Sequence, residues 1–118
     1  MVWGGKTSIL LRGETVMKVI KCLSEDIEAT MDMTENNIKK AIMYKNDFPI
    51  AAKSFYTKSV TLMDSLKGQH DAVVALIENY RKEAGEPPAP MMAIYNYMHE
   101  RHINKAAAIK NLQDMYMK

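Results

Sequence analysis

The residues of this 118-residue chain best suited to chemistry are its three histidines, His70, His99 and His102. Two of them lie in the stretch from Met91 to Tyr116, which steps as an amphipathic helix at about 100° per residue. With His102 as zero, Met91, Tyr95, Met98, Ala106, Ile109 and Tyr116 fall within about 40° of it, and Ile94 and Leu112 fall near 80°. His99 lies about 60° away on that face, while Glu100 and Asn111 point to the opposite side. With His70 as zero, Leu66, Met63, Val74 and Ile77 lie within about 40°, so the third histidine also occupies a core face. Neutral imidazole is the commonest metal ligand, and histidines at i and i+3 can meet one ion from one helix face.

Three elements must position these side chains. From Glu14 onward Val16, Val19, Ile20, Leu23, Ile27, Thr30, Thr34, Ile38 and Ala41 trace one stripe, which predicts a helix over about 14–45. A competing reading makes residues 16–22 a strand and lets Ser24 cap a later helix. The stripe crosses Ser24 without a break in phase, which favours one continuous helix. Residues 1–13, with Gly4, Gly5 and Gly13 and no helical period, are expected to form a short non-helical arm. Asn46-Asp47-Phe48-Pro49 then punctuates the chain, with Asp47 suited to cap a following helix and Pro49 to its first turn. The second helix, about 48–84, repeats Phe55, Leu62, Met63, Leu66, His70, Val73, Val74, Ile77 and Tyr80, with Gly68 on its far side. Gly85-Glu86-Pro87-Pro88-Ala89-Pro90 stops it, and the third runs over about 89–117. The expected fold is all-α: an antiparallel up-down-up bundle of three long helices, one domain over 14–118 preceded by the arm. Helices about 45 Å long make a slim bundle, so a homodimer is expected to complete the burial of the stripes.

Antiparallel neighbours allow heights to be compared by reflection through the turn that joins them. Reflected through the second turn, His70 is level with residue 103, close to His102 and about one helical turn from His99. Reflected through the first turn, it is level with residue 23. Among the acids there, Asp26 lies about 60° from Leu23 on the core side, whereas Glu25 and Glu28 point away at about 200° and 140°. The set His70, His99, His102 and Asp26 is therefore the candidate metal site. Three imidazoles and a carboxylate suit Zn, Fe or Mn, with water in the open positions. Such a protein would serve metal storage, sensing or redox chemistry. The alternative is a non-enzymatic interaction module, or a small subunit of a larger assembly, that holds a protein partner by Met-rich helix faces or the N-terminal arm. Its core histidines would then be structural, donating to a backbone carbonyl or to a hydroxyl such as Thr30 or Tyr95.

Long antiparallel helices with inward-facing ligands give residues 14–117 an architecture that resembles the ferritin-like helical bundles. That resemblance implies a metal site in the bundle core. The ferritin-like Glu-x-x-His pairs are not reproduced, because Lys67, Asn96 and His99 stand three residues before His70, His99 and His102.

Composition narrows the remaining classes. Sixteen basic and fourteen acidic residues leave a net charge of +2. Along the chain the basic residues do not cluster with aromatics as a phosphate-tracking groove requires, so neither nucleic acid nor membrane is expected as a partner. Lys39, Lys40 and Lys45 read as a solvated helix end. Cys22 is the only cysteine, which rules out an intramolecular disulfide and fits a reducing compartment. It falls at the edge of the histidine layer and is expected to be a buried, inert thiol. No run of about 18 apolar residues is present, so the chain reads as soluble and cytoplasmic. Eleven methionines include Met31/Met33 and Met115/Met117, but residues two apart on a helix diverge by about 200° and cannot share a copper ion. No nucleophile elbow, phosphate loop or paired-carboxylate signature points to a hydrolase or nucleotide enzyme.

Overall fold

Proline and glycine set the boundaries of the helices. The computed structural model describes residues 5–118, with side chains from residue 13 onward. Among the described residues there are three α-helices and no strand: α1 (Gly5–Tyr44), α2 (Pro49–Ala84) and α3 (Ala89–Met117). Both α2 and α3 carry proline in their first turn, where its missing N–H costs nothing and its fixed φ is already helical. At the end of α2, Gly85 adopts φ 89° and its N–H donates to the Arg81 carbonyl at 3.2 Å. A side chain would strain that left-handed backbone. Phe48, not Asp47, occupies the N-cap of α2, and no side-chain cap bond forms there. The turn is held instead by Phe48 N–H on the Tyr44 carbonyl at 2.8 Å and Ala52 N–H on the Phe48 carbonyl at 2.9 Å.

Residues 16–22 are helical, and α1 begins at Gly5, nine residues before the start expected from the apolar stripe. Glycine weakens a helix by only about 1 kcal/mol relative to alanine, so Gly5 and Gly13 do not prevent α1 from extending past them. Of the expected non-helical arm, residues 1–4 lie outside the described residues. Gly13 sits where a β-carbon would meet the Tyr80 hydroxyl at 3.4 Å.

α1 is the hub. It packs along both α2 and α3, whereas α2 and α3 approach each other over far less of their length. Its buried face is therefore wide: Ile20, Ile27, Thr30, Met31, Thr34, Ile38 and Ala41 all lose nearly all solvent contact. Thr30 and Thr34 enter that face because each hydroxyl donates one turn back, to the Asp26 carbonyl at 2.9 Å and the Thr30 carbonyl at 2.6 Å. Three apolar layers follow along the axis, around Ile20, Ile77 and Met91, then Ile27, Leu66, Val73 and Met98, then Ile38, Ala41 and Ile109. Parallel helices α1 and α3 are further joined by a bidentate Arg101–Glu28 pair and by Lys105 on both oxygens of Glu35 at 3.1 Å. The result is a rod of 65 × 25 × 17 Å with a radius of gyration of 18.5 Å. A compact chain of this length would have about 13 Å.

Charge is unevenly spread along the rod. The end formed by the α1–α2 turn and the last half of α3, residues 33–62 and 104–118, carries eight lysines against Glu35, Asp47 and Asp114. Residues 13–32 and 63–103 carry six basic and eleven acidic residues. The first set thus has a formal charge of +5 and the second −5, or −3 when Lys6 and Arg12 at the start of α1 are counted with it.

Candidate functional site

The thin contact between α2 and α3 is filled largely by polar and aromatic side chains. His70 on α2 faces His99 and His102 on α3, at the height that reflection through the second turn predicts. His70 Nε2 and His99 Nδ1 lie 2.8 Å apart, with ring centroids at 5.0 Å and planes 23° from parallel. A centroid separation this much larger than the nitrogen separation means that the rings meet edge to edge through an N–H···N hydrogen bond. His102 instead lies face to face with His70, at 4.2 Å between centroids and 12° between planes. The Tyr95 ring is nearly parallel to His99, with centroids 5.6 Å apart. The seam continues toward the first turn with Gln113 donating to the Ser59 hydroxyl at 3.3 Å and with Tyr56 stacked on Tyr116 at 4.7 Å.

Burial is the principal influence on the two central rings. It pushes the His70 imidazolium below its ordinary pKa, and the neighbouring His99 adds to that, while Asp71 opposes it. His102 is lowered by burial first and then by His70 and His99. Both are therefore neutral at pH 7. His70 Nδ1 lies 3.8 Å from the Asp71 carboxylate, and which of the two facing nitrogens, His70 Nε2 or His99 Nδ1, donates depends on the tautomer of each ring.

Of the four residues expected to form a metal site, the structure brings together His70, His99 and His102. Asp26 is not among them: its side chain is exposed on α1. Reflection places it at the right height, but α1 serves two partners, and the edge that Asp26 occupies lies outside the buried face. Imidazole lone pairs lie in the ring plane, and the nearly parallel planes of His70 and His102 do not converge on one point. Among the described residues no group of three or more His, Cys, Asp or Glu side chains is arranged as a ligand set. For His70 and His102 to share an ion, His102 would have to rotate out of its stack. Cys22, expected to be buried, is exposed.

Two features escaped the sequence reading. Asp71 flanks His70, and adjacency in the chain was the available signal; Tyr95, expected to offer its hydroxyl, instead stacks its ring beside His99. The second feature is the basic end. Among the described residues ten large hydrophobic side chains are exposed, and seven of them, Met33, Met43, Phe48, Ile50, Val60, Met115 and Met117, belong to that end. Ile50 is 89% exposed and Phe48 61%. Its lysines come from three separated segments, so a window sliding along the chain does not see them together. A more apolar groove runs between α1 and α3 near the other end, floored by Ile27, Met31, Ile94 and Met98 and rimmed by Lys21 and Glu25.

No helix among the described residues is long and apolar enough to cross a membrane. The chain matches no family model, no curated protein and no solved structure.

Proposed function

We propose that this protein is a non-enzymatic helical interaction module, a rod that presents a basic, apolar end to a partner while its histidines serve the α2–α3 seam. The observation that carries this reading is the coincidence, at one end, of a formal charge of +5 with seven of the ten exposed large hydrophobic side chains. Scattered apolar residues are normal on a surface, whereas a concentration of them marks an interaction site. The histidines supply what a seam with few apolar contacts needs, namely ring stacking and a half-buried N–H···N bond whose partners satisfy each other.

A second reading is the divalent metal site with His70, His99 and His102 as ligands. It is favoured by the proximity of three imidazoles on facing helices, two of them with pKa values lowered chiefly by burial. The two readings are separated by metal analysis of untagged protein beside a His70→Ala/His102→Ala variant. The module reading expects substoichiometric metal that the substitutions leave unchanged. Stoichiometric zinc, iron or manganese that vanishes in the variant would overturn it.

A further inference from the structure

We infer that the basic end is a docking surface for an anionic phospholipid membrane, on which the rod stands upright with Phe48 and Ile50 wedged into the interface. This rests on the interaction-module reading and names its partner. Three observations favour a lipid surface over other anions. First, Ile50, the most exposed of the large apolar residues, and Phe48 sit in the turn at the end of the rod. Phe48 and Ile50 flank Pro49 in the turn that caps a rod only 25 × 17 Å across, and a protein partner would need a matching socket, whereas a bilayer interface deforms around a wedge. Second, the exposed Lys53 and Lys58 line one groove with Ile50, and their alkyl stems can lie along the apolar boundary while their ammonium groups reach the phosphates. Nucleic acid would use the charge but not the exposed isoleucine.

Third, the charge is segregated along the axis. Electrostatic screening at physiological ionic strength decays over about 8 Å, and the rod is 65 Å long. A surface touching the first-turn end therefore meets chiefly the nearest turns of the helices, residues 39–54 and 112–118, where five lysines stand against Asp47 and Asp114, and not the net +2. The acidic remainder, repelled by the same surface, keeps the rod from lying flat. The absence of clustered basic residues along the sequence does not oppose this, because folding, not sequence adjacency, gathers them.

Flotation of the full chain with vesicles tests the proposal. We expect binding to phosphatidylcholine vesicles containing phosphatidylglycerol, none to phosphatidylcholine alone, and release by salt. Lys53→Glu/Lys58→Glu should weaken binding by about tenfold or more, and Ile50→Ser by about tenfold. All three residues are exposed, so circular dichroism melting should be unchanged, and Ile50→Ser alone keeps the test valid if the lysine variant unfolds. Failure of the wild-type chain to bind anionic vesicles at low salt overturns the proposal. So does binding insensitive to Ile50→Ser, or equal affinity for a DNA oligonucleotide of matched charge. A salt-sensitive dimer abolished by these substitutions, without vesicle binding, assigns the end to a second copy: it sinks the lipid proposal and leaves the module reading standing. Only the metal result above removes the module reading itself.

Discussion

His70 and His102 tie stability to pH through their lowered pKa values. A histidine whose folded pKa lies below its unfolded value near 6.5 binds protons more readily when the chain unfolds. The stability associated with the neutral rings is thus complete above about pH 6.5 and is lost as pH falls through the lowered folded values. The groups facing the pair are His99 and Tyr95 from α3 and Asp71 from α2, and none of them reverses that sign. Urea unfolding of the wild type at pH 7.5 and 5.0 should show a loss that His70→Gln/His102→Gln largely abolishes; an unchanged slope in the variant would place the dependence elsewhere. Gln69 offers a second test. Its Oε1 is buried and has no hydrogen-bond partner among the described residues, and such an acceptor costs about 1–3 kcal/mol. Gln69→Leu should be neutral or stabilise by about 1 kcal/mol, and clear destabilisation in denaturant would show that the oxygen is satisfied in solution.

At the level of the helices, two glycines in or beside α2 should respond oppositely to alanine. Gly68 is helical with open space where a β-carbon would stand, so Gly68→Ala should stabilise by about 1 kcal/mol. Gly85, at φ 89°, should lose about 1 kcal/mol on the same change. Thermal melts of both variants decide this, and equal shifts would mean that the conformation of the α2 terminus is not what sets the Gly85 requirement. The ends of α2 and α3 were legible because Pro49, Gly85 and Pro87 to Pro90 are strong stops. The beginning of α1 was not, because glycines read as breakers cost less than a long helix gains. The heights of the histidines were also legible, since a short turn fixes the register of antiparallel neighbours. The angular position of Asp26 was not. A helix packed on one partner has one stripe, but α1 packs on two, so its buried arc spans Ile27 through Thr34 and a single stripe misjudges the edges. Met31, fully buried yet outside the predicted stripe, is the converse of the same error.

For the whole molecule, the central place of α1 sets an order of assembly. α3 is tied to α1 through pairs such as Glu28–Arg101 and Glu35–Lys105, 73 and 70 residues apart in the chain, while its short connection to α2 leads to the thinner, more polar seam. Closing α1 on α2 brings together residues near one turn and buries Ile27, Leu66 and Val73 early. α3 must then dock across a separation that costs more loop entropy. In reverse, α3 is the part that detaches first, as one cooperative unit opening below the global unfolding free energy. Native-state hydrogen exchange should give α3 amides a shared opening free energy lower than that of the α1 and α2 cores, and joint release of α2 with α3 would refute this order. A chain that reads as three equal helices is, in its energetics, a two-helix hairpin with a detachable third arm, and the histidine seam is the latch on that arm.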